Sequence, residues 1–187
     1  MADDAVNRLF QQIRSDWSGI VRRAPMAIGR IAINFMEENF EKGGFQAYEG
    51  GGVEKWLPRK HDDGSGRAIL VGKQSGRLMK SGTIFKADEK SVIVGVPDDI
   101  AEYGKIHNEG GTVHPQVTDK MKKFAWFKYK ETGEDFWKGL ALTKKKVLSI
   151  TIPRRQFLGN SPELTRRISV FYLDSFKTSL KNNTTFK

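Results

Sequence analysis

The chain has no cysteine and only three histidines in 187 residues. Disulfide scaffolds, thiolate metal sites and cysteine nucleophiles are therefore excluded, and little remains for a histidine metal centre. No cofactor is expected. Uncharged apolar runs are only a handful of residues long, so no membrane span and no membrane partner is expected, and the N-terminus does not resemble a secretory leader. A cytoplasmic location is the expectation. What the chain does have is 12 Phe, 4 Trp and 4 Tyr, enough to argue against wholesale disorder and for one ordinary domain with a buried core.

Charge is unevenly placed. Residues 1–119 hold 16 Lys and Arg against 17 Asp and Glu, whereas residues 120–187 hold 16 against 5. The whole surplus of +10 thus comes from the last third, where it would attract DNA, an acidic protein surface or an anionic membrane. The plainer reading is solubility, because the cations are spread over several elements rather than one block.

The hydrophobic pattern predicts an α+β fold: a small, mainly antiparallel sheet with a long N-terminal helix, a short central helix and a C-terminal helix. Val6, Phe10, Ile13, Trp17, Ile20, Ala24, Ile28, Ile31 and Phe35 recur every three or four residues, one apolar face of a helix over 4–42. Pro25 should kink or split it into 4–23 and 25–42, making residues 1–42 an arm or a helix pair. Residues 43–66, with Gly50-Gly51-Gly52 and Asp62-Asp63-Gly64-Ser65-Gly66, read as a flexible loop carrying Trp56 and Leu57. Those two side chains either tuck onto the core or meet another chain. A short helix is expected around Arg77-Leu78-Met79. Residues 83–87 and 91–96 read as a hairpin, and Asp98-Asp99 as the cap of a helix ending at Gly110-Gly111. The stretch 112–150, with Phe124, Trp126, Phe127 and Tyr129 among lysines, reads as a basic aromatic β-ribbon inserted in a single 1–187 domain; the same pattern could hold a single nucleic-acid strand. Residues 147–152 alternate as a strand. Ser161-Pro162-Glu163 starts the last helix, with Leu164, Ile168, Tyr172, Phe176 and Leu180 at steps of four and fraying expected from 181.

Catalytic chemistry is poorly represented. His107, Glu109 and His114 could be drawn as zinc ligands, but not at a recognised spacing. His61-Asp62-Asp63 stands on a glycine-rich loop, poorly held for acid–base work. Gly72-Lys73-Gln74-Ser75-Gly76 lacks the order of a phosphate loop.

Four signatures stand in order: Trp56-Leu57-Pro58; Ser75-Gly76-Arg77-Leu78; Tyr103-Gly104-Lys105-Ile106-His107-Asn108-Glu109-Gly110; and Ile152-Pro153-Arg154-Arg155-Gln156-Phe157-Leu158-Gly159. Over about residues 5–180 the chain resembles the virion morphogenesis, or tail completion, family of Mu-like phages and prophages. Gly104 and Arg154 stand where that family prefers alanine, and Gln156 where it prefers proline; the 112–150 stretch is longer and more basic. The resemblance implies a structural protein, not an enzyme. It would act in tail completion or head–tail joining, within the virion and, during assembly, the host bacterial cytoplasm. Its partners would be copies of itself in a ring, a hexamer among the options, and tail or connector proteins. The motif positions it points to are Gly76, Leu78, Tyr103, His107, Gly110, Pro153, Arg155, Phe157 and Leu158. Read as residues, these are mostly core or scaffold, with Tyr103 and His107 packed and hydrogen-bonded on one helix face. Trp56, Leu57, Phe124, Trp126, Phe127 and Tyr129 are the candidate interface. Lys144, Lys145 and Lys146 are candidate DNA-facing cations for a non-specific contact.

Overall fold

A computed structural model describes residues 2–59, 66–71 and 76–184. Its described residues form an α+β fold of five helices and three two-stranded antiparallel ladders. Helix α1 (Ala2–Lys42) is the spine. It runs through Pro25 without dividing, so the expected helix pair is one helix. Proline removes the hydrogen bond to the carbonyl four residues back. Here Ala24 and Pro25 are both buried, and packing holds the helix on either side of the lost bond.

Within 43–66, the described residues 43–59 hold more regular structure than their glycines imply. Strands β1 (Gly44–Gln46) and β2 (Val53–Lys55) form a hairpin with Phe45 opposite Glu54, and all three β1 residues are buried. A Cβ on Gly44 would lie 2.5 Å from the Glu54 carbonyl oxygen, so only glycine permits that approach. His61, Asp62, Asp63 and residues 72–75 lie outside the described residues. The helix expected near Leu78 is a single 3-10 turn, Met79–Ser81.

The second hairpin is as predicted, β3 (Thr83–Ala87) with β4 (Val92–Gly95) and a bulge between Ile84 and Lys86. Its turn is tied by the Asp88 carboxylate, which accepts from the amides of Lys90 (2.9 Å) and Ser91 (2.8 Å). The hairpin lies on α1, where Gly29 leaves room for Ile84. Helix α2 (Asp98–Glu109) follows. Asp98 and Asp99 sit in its first turn, where they complement the helix dipole, and Pro97 takes the cap position expected of them.

The stretch 112–150 is not a β-ribbon. Only its base is extended: β5 (Gly111–Val113) pairs with β6 (Ile150–Ile152), and Gln116 bridges Val147. Above that base stand α3 (Asp119–Thr132) and α4 (Asp135–Ala141). The Thr118 hydroxyl caps α3 by accepting from Met121 N at 3.2 Å, and Gly133 ends it at φ +72°. Buried Ala125 on α3 and Ala141 on α4 let the two helices approach closely. Local capping and lysine's helix propensity outweighed the β preference of the rings.

Helix α5 (Pro162–Thr184) packs along α1, capped by Ser161, whose hydroxyl accepts from Leu164 N at 3.0 Å. It is helical to Thr184, past the expected onset of fraying. Trp17 meets Phe176 edge-on at 5.8 Å between ring centres. At one end, Ser179 and Asn183 donate to Asp16 at 2.9 and 2.7 Å. At the other, Arg167 bridges Glu38 (2.8 and 2.7 Å) and Glu163 (2.8 Å). Glu163 is buried and also accepts from Arg166 and from Gly50 N.

Hydrogen bonds from Arg166 and Arg167 hold the Glu163 carboxyl down to about 2, below its ordinary 4.5. A depressed folded-state value stabilises above the ordinary range, and that stability is lost as pH falls toward the folded value. Glu163→Gln should therefore cost about 2–3 kcal/mol at neutral pH. Urea titrations of both proteins should show the gap narrowing as pH drops from 4.5 toward about 2. A gap constant with pH would mean the carboxylate charge is not what matters.

Candidate functional site

Residues 153–157 belong to no helix or strand, so their backbone polar groups need partners from elsewhere. The sequence signatures and Asn39 of α1 supply them. Arg155 N donates to the His107 carbonyl at 2.7 Å. The Gln156 carbonyl accepts from Trp56 Nε1 at 2.8 Å. The amides of Phe157 and Leu158 both donate to Asn108 Oδ1 at 3.0 Å. The Phe157 carbonyl accepts from Asn39 Nδ2 at 3.1 Å. In return, the Arg155 guanidinium donates to the carbonyls of Leu57 (3.1 Å) and Pro58 (3.2 Å).

This clasp seats Phe157 in the core with Met36, Phe40, Trp56 and Leu78, its ring 5.0 Å from that of Phe40. Gly104 faces Leu78, Val96 and Phe157, where a larger residue would crowd. Gly110 has φ +76° and ψ 175°, a region that essentially only glycine enters, and a Cβ there would come within 2.9 Å of Arg154 N. Gly76 is buried with φ +53°. Leu158 is half-buried against the same cluster, and Pro153 is half-buried just before it in the chain.

Three expectations need correction. Trp56, proposed as interface, is only 7% exposed and belongs to the core; its neighbour Leu57 is exposed. Tyr103 is exposed rather than packed, touching His107 ring edge to face at 4.5 Å. His107 is half-buried, but its Nδ1 has no hydrogen-bond partner. Burial and the nearby Arg155 charge both push its pKa below the ordinary value, keeping the ring neutral near pH 7. His107, Glu109 and His114 do not assemble: among the described residues no group of three or more His, Asp or Glu could hold a metal ion.

The surface candidates lie mainly on the α3–α4 hairpin. Phe124 is 51% and Phe127 61% exposed, Trp126 is exposed, and Tyr129 is half-buried between Trp126 and Lys138. Lys144, Lys145 and Lys146 are all exposed on the segment descending from α4. α3 and α4 pack chiefly on each other, so the pair stands as a knob on the β5–β6 base. A second apolar surface is a depression of about 460 Å³ between α1 and α5, lined by Ile13, Trp17, Tyr172, Leu173 and Phe176.

Sequence reasoning missed Asn39, the second polar arm of the clasp. Its signal was present: Phe35, Met36, Asn39 and Phe40 share one helix face, and an asparagine among buried apolar residues needs a partner. The network of Glu38, Glu163 and Arg167 carried no comparable signal, since Glu38 on α1 lies 129 positions from Arg167 on α5. The fold and its clasp define a protein whose sequence signatures build architecture, with a separate knob that presents exposed rings and lysines. The chain matches no protein-family model, no curated protein and no solved structure.

Asn108→Ala would strand two part-buried amides and should cost about 1–3 kcal/mol in urea unfolding. Lys144→Ala, on the exposed surface, should stay within about 0.5 kcal/mol. Equal effects would show that the clasp is not a stabilising centre.

Proposed function

We propose that the chain is a structural protein of tailed-phage assembly, acting in tail completion or head–tail joining through self-association and contacts with other particle components. The observation that carries this reading is the convergence of all four resemblance signatures on one clasp. Trp56 and Leu57, Leu78, His107 and Asn108, and the 155–158 segment are scattered over a hundred positions, yet they meet. Residues shared for building a scaffold should do so, whereas residues shared for catalysis would line an open pocket. The exposed knob supports the same reading, since aromatic side chains concentrate binding energy at protein interfaces.

The test is light scattering and co-sedimentation of the purified protein, alone and with purified phage tails or connector particles. Self-association or co-sedimentation is expected. A strict monomer that binds no particle component would count decisively against assembly.

A second reading, non-specific nucleic-acid binding, is favoured by one observation: the three consecutive lysines 144–146 all point to solvent. It predicts DNA retention near 50 mM salt that falls by about 10³-fold or more by 200 mM if about six phosphates are engaged. Reversing Lys144, Lys145 and Lys146 to glutamate should flatten that salt dependence. No mobility shift at the lower salt eliminates this reading.

A further inference from the structure

The knob and α2 carry matching patterns of opposite charge. On α3, Lys120, Lys123, Phe127 and Lys130 follow one another at steps of three, four and three, which places them along one side of a helix. All four are exposed, on the side opposite the buried Ala125. On α2, Asp99, Glu102, Ile106 and Glu109 repeat the same steps. The three acids are exposed and Ile106 is half-buried between them. Each helix therefore presents one apolar side chain flanked by three charges, cationic on α3 and acidic on α2, where Asp99 also pairs with Arg77 of its own chain.

The surrounding segments have the same bias. Residues 119–146 hold nine lysines against four acids, and residues 83–109 hold six acids against three lysines. Within one chain the two faces do not meet, because α3 and α4 form no substantial packing with α2, β3 or β4.

We infer that α3 of one copy docks along α2 of the next, with Lys120, Lys123 and Lys130 facing Asp99, Glu102 and Glu109, and Phe127 set against Ile106. The occupant of the knob is a second copy of this chain. The inference rests on the self-association reading above and names its surface. Because two different faces meet, the contact is head-to-tail, and repeated it closes a ring or extends a filament. Three like charges line each face, outnumbering the single opposite charge beside it (Glu131 on α3, Lys105 on α2), so the wrong pairing, α3 on α3 or α2 on α2, is disfavoured.

The test uses two charge-reversed full-length chains. One carries Lys123→Glu and Lys130→Glu; the other carries Glu102→Lys and Glu109→Lys. Each alone should self-associate at least about tenfold more weakly than the parent in sedimentation velocity. Mixed one to one they should recover, because the acidic α3 of the first meets the basic α2 of the second, while the other contact keeps its natural charges. Circular dichroism checks that both variants fold, and recovery in the mixture could not come from unfolded chains. Parent-like association by either variant alone, or no recovery on mixing two folded variants, overturns this contact. In both cases the parent's own association would leave the assembly reading standing. A parent that stays monomeric at its solubility limit also overturns the contact, and co-sedimentation with particle components then decides the assembly reading separately.

Discussion

The fold depends on satisfying the backbone of a segment that has no sister strand. Residues 155–158 pass beside the core as irregular chain, where unpaired amides and carbonyls would each cost as much as a lost hydrogen bond. Asn39 on α1, Trp56 after β2, and His107 with Asn108 at the end of α2 provide the missing partners. Because each comes from a different element, meeting that demand also fixes those elements relative to one another. Phe157 can fill the centre only because its own amide and carbonyl are already paired. The glycines at 104 and 110 belong to the same constraint, since they let α2 and the 154–157 segment lie close enough to bond.

Polar chemistry also sets the pairing of α1 with α5. The middle of that contact is aromatic, with Trp17 against Tyr172 and Phe176, and rings alone tolerate sliding. The charged groups at either end do not. Glu163 is buried and needs both Arg166 and Arg167, while Asp16 takes both Ser179 and Asn183. Directional hydrogen bonds at two distant points hold one register where apolar area would permit several.

The molecule thus separates two roles. The residues of the sequence signatures are spent on architecture, while the stretch 112–150 presents four exposed rings and seven exposed lysines on a part of its own. A knob that packs mainly on itself can vary without disturbing the clasp beneath it, because β5 and β6 close the excursion at its base. A surface positioned this way suits recognition of a particular neighbour more than chemistry.

Much of this was readable from the chain. The apolar spacing marked α1 and α5, Asp98-Asp99 and Gly110-Gly111 bounded α2, and Ser161-Pro162 placed the start of the last helix. The β3–β4 hairpin was evident from its β-branched runs, and the polar turn between them. The order of the signatures showed which residues matter, but not that they touch. The 119–141 region was misread because aromatic content was weighed above Thr118 and Gly133, whose capping roles were visible in sequence. Local periodicity and caps are written in neighbouring residues, so sequence determined the elements. Whether Trp56 is core or surface and who accepts from the Phe157 amide depend on partners 100 and 49 positions distant, and where α1 can absorb Pro25 depends on the elements packed along it, so only the tertiary structure decided them.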